Sequence, residues 1–191
     1  LSEICFEGPE ERLRDTRYTQ LAVMVCSLAA FKALENAGIS PYVVSGHSLG
    51  DYTALVAAGV LSLRDGLKAV ELRAELMARV SRERPGAMAA IIGLEPRKVE
   101  EACREASKDG VVVMANFNSP HQIVISGQEK AVRRAISIAK GMGAKRCVPL
   151  RVSGAFHSPL MDQAAEAMRE VLEGIDFNPP KIKLVLPTVA E

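Results

Sequence analysis

The sequence predicts an α/β fold in which helices pack on a parallel sheet, with a smaller βαββαβ unit inserted. Three observations lead to this prediction. The 191 residues are 48% hydrophobic but only 4% aromatic, with no tryptophan, so the core is built from aliphatic side chains and methionine. A short β-branched run is followed by a glycine-rich turn and a helical pattern, and residues 86–150 then alternate strand and helix signals. Such a composition suits helices on a parallel sheet better than a β-sandwich.

The first part of the chain predicts one buried strand between helices. Thr19 is a suitable N-cap, and Gly38 stands where a helix-terminating glycine belongs. Ser62 and Asp65 form a loose capping box, with Asp as the acid. The predicted elements are a helix over 20–37, a strand over 42–45, a turn over 46–50, a helix over 51–58 and a helix over 63–81.

The middle of the chain predicts a separate small sheet. The order β-α-β-β-α-β is the split βαβ pattern of a ferredoxin-like unit. We therefore expect a ferredoxin-like subdomain at 86–150, inserted into a core made of 1–85 and 151–191. Its predicted elements are strands over 87–92, 111–115, 123–126 and 146–150 and helices over 96–107 and 129–140; a helix over 158–173 and a strand over 182–186 follow it.

Composition excludes several classes of function. The formal net charge of +1 argues against a general nucleic-acid binder. The four cysteines form no CxxC pair and no cluster with metal-ligand spacing, so we expect reduced thiols in a cytoplasmic protein and no metal. No apolar run is long enough to span a bilayer, and no signal peptide opens the chain, so we expect no membrane partner.

Both ends suggest a piece of a longer protein. The first residue is not Met, the opening 1–15 is charged and without clear period, and the last predicted strand runs almost to the end. We expect the sequence to be a fragment truncated at both ends.

The strongest chemical signal is Gly46-His47-Ser48-Leu49-Gly50, which matches G-x-S-x-G between a strand and a helix. A serine on such a sharp turn has its hydroxyl projected from the surface, and small flanking residues let the chain turn and a substrate approach. The Leu49 N–H, at the helix start, can stabilise a developing oxyanion. Ser48 is the candidate nucleophile, and Leu49 the candidate oxyanion donor.

A serine nucleophile needs a general base, and the chain has three histidines. His47 is adjacent to Ser48 in the sequence, so its side chain should point elsewhere, and it is expected to pack in support of the turn. His121 is expected to be a plain loop residue. His157 lies in a loop after the last strand of the small sheet, where catalytic residues often occur. No acid is evident to orient it: Asp162 is expected to be a solvated helix residue, and a backbone carbonyl could serve instead.

These motifs resemble those of malonyl-CoA:acyl carrier protein transacylases and the related acyltransferase domains of fatty acid and polyketide synthases. The resemblance covers nearly the whole chain. It is carried by Gly46–Tyr52, by Arg73 with Met77, by Gly86–Ala90, by Asn116–Pro120 with Ile125–Gly127, and above all by Val152–Met161.

The resemblance implies an α/β-hydrolase-like parallel-sheet core and a role for each motif. It implies that Ser48 is acylated, that His157 is the base and is oriented by a main-chain carbonyl, and that Arg73 binds the malonyl carboxylate. Phe156 resembles malonyl-selecting members. A planar guanidinium suits this task, since it holds a carboxylate with two charge-assisted bonds. Without the resemblance, Arg73 would read as a surface helix arginine paired with Glu71 or Glu75.

The chain also departs from the family pattern. The family's N-terminal strand, with a glutamine of the oxyanion hole, and its C-terminal segment, with the carbonyl that orients the histidine, are not in this sequence. Asp51 stands where Glu is commoner and Ala74 where Gly is commoner, and Pro187-Thr188 stand where an asparagine is usual. We expect these departures to bear on whether the chain is active by itself.

The resemblance therefore implies transfer of malonyl from malonyl-CoA to the phosphopantetheine thiol of acyl carrier protein, without a cofactor. An acyltransferase domain of a polyketide synthase, a serine hydrolase and a non-catalytic binding module remain alternatives. Acyl carrier proteins are acidic, so a basic docking patch is expected, unless its members form an ordinary solvated face. The candidates are Arg133, Arg134, Lys140, Lys145 and Arg146.

Overall fold

The computed structural model describes residues 1–186. In chain order its helices are α1 (Ser2–Glu7), α2 (Glu10–Arg14), α3 (Thr16–Asn36), α4 (Gly50–Ala57), α5 (Leu63–Glu83), α6 (Pro96–Ala106), α7 (Glu129–Gly141) and α8 (Asp162–Glu173). Its strands are β1 (Val43–Ser45), β2 (Ala87–Ile92), β3 (Val112–Ser119), β4 (Gln122–Gly127), β5 (Arg146–Pro149) and β6 (Lys183–Val185). Short 3₁₀ turns lie at Ser107–Asp109 and Pro159–Met161.

The chain divides into two compact units. One comprises Leu1–Glu75 with the segment from Ala167 onward, and the other comprises Leu76–Glu166. The unit boundaries fall within α5 and near the middle of α8. The division at residues 86 and 150 expected from the sequence stays a prediction.

In the first unit, β1 pairs with β6 in a parallel two-stranded sheet, which confirms the predicted parallel class. Val43, Val44 and Ser45 lie opposite residues 183–185. Helix α3 contributes Met24 to the core, fully buried, and α5 contributes Val70 and Ala74. Parallel strands need a crossover connection, and helices α4 and α5 lie within the one that joins β1 to β6.

In the second unit, four antiparallel strands stand in the order β3-β4-β2-β5. This is the ferredoxin-like order that a βαββαβ sequence predicts. Ile91, Ile123 and Ile125 pack on one face against helices α6 and α7, forming the largest buried cluster of the unit. The alternation along β2 and β4 places Met88, Ala90 and Val124 on the opposite face. The sequence prediction is confirmed for this unit.

Several local predictions need correction. Helix α3 begins at Thr16 and not at residue 20, because the Asp15 side chain accepts from the Arg17 N–H and is the true N-cap. The Thr19 hydroxyl instead donates to the carbonyls of Leu13 and Asp15. Helices α1 and α2 were not predicted, since the opening residues show no clear apolar period.

The β3–β4 hairpin is longer than predicted. Residues 116–119, expected in a loop, continue β3 through two register irregularities, after Met114 and after Phe117. The Ser62 cap is confirmed, with the Asp65 N–H donating to Ser62 Oγ at 3.0 Å, and the Asp65 carboxylate accepts from the Ser62 hydroxyl at 2.6 Å. The residues Pro187-Thr188 noted above lie outside the described range.

Of the helices within residues 1–186, none combines the length and apolarity that crossing a membrane requires.

Candidate active site

The serine turn is built by a close approach of backbone to backbone. Strand β1 ends at Ser45 and α4 begins at Gly50, so only four residues make the turn. A Cβ on Gly46 would lie 2.0 Å from the Gly50 carbonyl carbon and 2.1 Å from the Asp51 nitrogen, so only glycine fits. A Cβ on Gly50 would meet nothing within 4 Å. Gly46 therefore permits the close backbone approach that forms the turn, whereas the space beside the Gly50 Cα is open.

Ser48 adopts a left-handed backbone conformation, with φ of 57°. Among the described residues, only Ser48 and His157 combine a positive φ with a side chain. Such a conformation costs roughly 1–3 kcal/mol and is retained where the surrounding structure imposes it. The sequence predicted a sharp turn at Ser48 from the motif. It gave no sign of a left-handed residue at His157.

The Leu49 N–H is available to a ligand at the start of α4. Leu49 is the N-cap residue, and its N–H donates to no acceptor within residues 1–186. The neighbouring N–H groups of Gly50 and Asp51 are bonded to the carbonyls of His47 and Ser48. An unpaired N–H at a helix N-terminus, next to a serine hydroxyl, is suited to an oxyanion.

Arg73 lies beside the serine. It projects from α5, and its Nη2 donates to Ser48 Oγ at 3.0 Å. Its Nη1 donates to the side-chain carbonyl of Gln20, on α3. The Tyr52 ring centroid lies 5.8 Å from the guanidinium carbon, within cation–π range. Three separate elements therefore fix the position of this guanidinium.

No carboxylate within residues 1–186 neutralises the positive charge of Arg73. It forms no ion pair within 4.0 Å among the described residues, and Glu71 and Glu75 both lie exposed on α5. The surface-pair interpretation of Arg73 is therefore wrong. Burial lowers the pKa of Arg73, and the charges of Tyr52 and Asp51 oppose that shift. Its neutral hydrogen-bond partners leave the charge to act on an anionic ligand.

Asp51 lies in the first turn of α4, and its carboxylate lacks part of its hydrogen bonding. Its Oδ1 is buried and has no hydrogen-bond partner within residues 1–186. Burial raises the pKa of Asp51, while the charges of His47 and Arg73 act in the opposite direction. His47 is exposed. The expectation of a packed His47 is wrong, because this residue is exposed in the serine turn.

The His157 loop is held by side-chain packing within the second unit. His157 has φ of 59° and is exposed. A Cβ on Gly154 would lie 2.0 Å from Ser81 Oγ, and one on Gly86 would lie 2.5 Å from the Ala155 Cβ. The Ser158 hydroxyl donates to the Ala155 carbonyl at 2.7 Å. The loop is therefore fixed on both sides of His157.

Asp162 and His121 behave as expected, whereas the malonyl-selecting role of Phe156 stays a prediction. Phe156 packs against the face of the sheet formed by Met88, Ala90 and Val124. Asp162 is exposed at the first position of α8. His121 lies exposed in the turn between β3 and β4.

The predicted docking residues divide into two groups. Arg133 is ion-paired with Glu129, and Arg134 lies 3.7 Å from Glu105, so their charges are partly neutralised. The second group forms no ion pair within residues 1–186; it consists of Lys140, Lys145 and Arg146.

Gln20 is the functional candidate that sequence reasoning missed. It is 5% exposed and bonded to a residue 53 positions away. Its only sequence signal was a polar residue directly before the mostly apolar stretch 21–31 of the helix, four residues after Thr16.

Comparisons with known proteins show the family of this chain. Residues 1–190 match the family described as acyl transferase domain. The chain belongs to the acyl transferase domain family. The malonyl CoA-acyl carrier protein transacylase of Haemophilus influenzae is 45% identical over 181 residues, which are 94% of this chain and 58% of that protein.

Solved structures show the same likeness. A malonyl-transacylase in complex with its type II PKS acyl-carrier protein matches with a TM-score of 0.92 and 42% identity, over 96% of this chain and 60% of that one. An acyl carrier protein S-malonyltransferase from Vibrio cholerae matches with a TM-score of 0.91 and 42% identity, over 99% and 63%. The chain spans about three fifths of the length of these family members.

Proposed function

We propose that this protein transfers a malonyl group from malonyl-CoA to the phosphopantetheine thiol of an acyl carrier protein, through malonyl-Ser48. The observation that carries the proposal is Arg73, an arginine that has no carboxylate partner within residues 1–186 and whose Nη2 lies 3.0 Å from the Ser48 hydroxyl oxygen. An acyl group on Ser48 that ended in a carboxylate would meet this charge. The naming of family members as malonyl transacylases supports the same substrate.

In the first half-reaction, His157 accepts the Ser48 proton as Oγ attacks the thioester carbonyl. The carbonyl oxygen becomes an oxyanion, which the Leu49 N–H stabilises. The C–S bond then breaks, and the departing CoA sulfur takes the proton from His157. The products are malonyl-Ser48 and CoA thiol.

The second half-reaction reverses these steps with a different thiol. The phosphopantetheine thiol of the carrier protein gives its proton to His157 and attacks the malonyl-Ser48 carbonyl. The Oγ–C bond breaks, and Ser48 recovers the proton from His157. No redox step occurs and no cofactor is required for this chemistry. We place the reaction in the cytoplasm, as part of fatty acid biosynthesis.

Arg73 supplies selectivity by binding the malonyl carboxylate. A guanidinium can hold a carboxylate with two parallel N–H···O bonds, and removal of such a pair costs about 1.5–3 kcal/mol per charged hydrogen bond. An acetyl group makes no such contact. Phe156 is proposed to restrict the acyl group to unbranched malonyl, as the resemblance implies.

Intact-mass measurement after mixing the chain with malonyl-CoA or acetyl-CoA tests this proposal. We expect a malonyl adduct that is absent in Ser48→Ala, with Arg73→Ala shifting the preference toward acetyl. Labelling of Ser48→Ala equal to wild type would contradict the role of Ser48. Rapid loss of the adduct to water, without transfer to a carrier thiol, would favour a serine hydrolase. Binding of malonyl-CoA without an adduct would favour a non-catalytic module.

The carrier-protein partner is proposed to dock on the basic residues that lack ion pairs. Lys140→Glu with Lys145→Glu should raise the KM for acyl carrier protein without changing the rate of malonyl-Ser48 formation. The matched control is Arg133→Glu, whose charge is already paired with Glu129. Equal effects of the two changes would contradict this assignment.

A further inference from the structure

Gln20 is a buried amide that the mechanism above does not use. It lies in the second turn of α3 and is 5% exposed. A buried amide without partners costs about 1–3 kcal/mol, so its hydrogen bonds account for its presence in a core. Its Nε2 donates to Thr16 Oγ1 at 2.7 Å, and its carbonyl oxygen accepts from Arg73 Nη1. Thr16 is itself 6% exposed.

We propose that Gln20 is a positioning residue for malonyl selectivity, holding Arg73 toward Ser48 while leaving its charge free for the substrate carboxylate. This inference rests on the proposed function, and it names the residue that orients Arg73 to bind the malonyl carboxylate.

The first part of the argument concerns geometry. An arginine side chain carries about 2 kcal/mol of rotamer entropy, which a binding site loses each time the arginine must be ordered. Arg73 is ordered before any ligand arrives, because Gln20 holds Nη1 and Ser48 accepts from Nη2. Thr16 fixes the Gln20 amide with its nitrogen toward Thr16 and its oxygen toward Arg73. Only this orientation serves a guanidinium, which has donors and no acceptor.

The second part concerns charge. A carboxylate at position 20 would accept from Arg73 as well as an amide does, but it would also neutralise the guanidinium. A substrate carboxylate would then enter beside a second negative charge, and like charges at short range in a partly buried site repel. The amide gives the hydrogen bond without the charge. Gln20 and Glu at this position have the same shape, so the two effects can be separated by experiment.

Three variants separate position, charge and packing. Gln20→Met retains the length of the side chain and removes the hydrogen bonds. Gln20→Glu retains the acceptor and adds the charge. Thr16→Val retains the shape of Thr16 and releases the amide. Gln163→Met is the matched control, because it makes the same substitution at an exposed position on α8.

The first readout is the ratio of malonyl to acetyl labelling of Ser48, measured as initial rates by intact mass. We expect Gln20→Met to lower the ratio about tenfold, the loss of one hydrogen bond to a charged group. Gln20→Glu should lower it further, with acetyl labelling less affected than malonyl labelling. Thr16→Val should lower it about threefold, and Gln163→Met should leave it unchanged.

The second readout does not need turnover. The N–H signals of the Arg73 guanidinium in ¹H–¹⁵N NMR spectra, assigned by their loss in Arg73→Lys, should be resolved and slow to exchange in wild type. They should broaden or average in Gln20→Met and stay unchanged in Gln163→Met. Identical Arg73 signals in wild type and Gln20→Met would overturn the inference whether or not the chain is acylated.

The two proposals fail in different ways. If wild type is not malonylated on Ser48, the proposed function fails, and the NMR spectra still decide whether Gln20 fixes Arg73. If wild type is malonylated and Gln20→Met reduces both labelling rates equally, Gln20 is a packing residue and the inference is wrong. If Gln20→Glu labels with malonyl as well as wild type does, the argument from charge is wrong.

Discussion

Within residues 1–186, two turns place a side chain in the left-handed backbone region, and they do so by different means. Ser48 has φ of 57° and His157 has φ of 59°. At Ser48 the turn is closed by main-chain atoms, since a Cβ on Gly46 would lie within 2.3 Å of the Gly50 and Asp51 backbone. At His157 the loop is held mainly by side chains, since Gly154 packs against Ser81 and Phe156.

The difference concerns how much each turn can adjust. A backbone contact between a strand end and a helix start can relax only if one of those elements moves. A side-chain contact can relax through a rotamer change or a smaller neighbour. The serine turn is therefore expected to tolerate no added atom at Gly46, and the histidine loop to tolerate one at Gly154 if the neighbouring side chain is made smaller.

The largest effect is expected for Gly46→Ala. The added methyl overlaps backbone atoms, so we expect a loss of about 3 kcal/mol or more in the free energy of unfolding, measured by urea denaturation. The control is Gly50→Ala, where a Cβ meets nothing and alanine favours the helix. We expect Gly50→Ala to be neutral or slightly stabilising. Similar losses in both variants would mean that Gly46 does not close the turn.

A smaller and recoverable effect is expected for Gly154→Ala. The new methyl meets Ser81 Oγ, so we expect a loss of about 1–3 kcal/mol in the free energy of unfolding. Ser81→Ala removes that oxygen, and the double variant should recover part of the loss, as a double-mutant cycle would measure. No Ser81 substitution should rescue Gly46→Ala. A strictly additive cycle at Gly154 and Ser81 would contradict the side-chain explanation.

The serine turn could be predicted from the sequence because five adjacent residues, 46–50, determine its geometry. The small sheet could be predicted because two amphipathic helices and four apolar strands follow one another in a known order. The Arg73–Gln20 bond could not, since it joins residues 53 positions apart and depends on how α3 packs against α5. The left-handed His157 and the helices α1 and α2 also lacked a local pattern.

Glycine and alanine substitutions test the backbone strain at Ser48 and His157. Glycine adopts positive φ without a Cβ penalty, so Ser48→Gly should be more stable than Ser48→Ala by about 1 kcal/mol, and His157→Gly more stable than His157→Ala by a similar amount. Leu49, with φ of −55°, is the control. There the sign should reverse, with alanine about 0.5–1 kcal/mol more stable than glycine. Thermal denaturation of the six variants provides the measurement, and equal signs at all three positions would exclude left-handed strain.

The smallest effect is expected at Asp51 and depends on pH. Burial raises the pKa of Asp51, so the folded state holds its proton more tightly than the unfolded chain does. Stability contributed by that proton is present below the ordinary pKa of an aspartate and is lost as pH rises through the raised value. Asp51→Asn should therefore stabilise the protein at neutral pH by about 0.5 kcal/mol or less, and the gain should vanish in acid. Asp162→Asn, which removes an exposed carboxylate from the first turn of α8, should instead lose a few tenths of a kcal/mol at neutral pH. If Asp51→Asn also destabilised at neutral pH, the carboxylate would be stabilising the turn in spite of its unpaired oxygen.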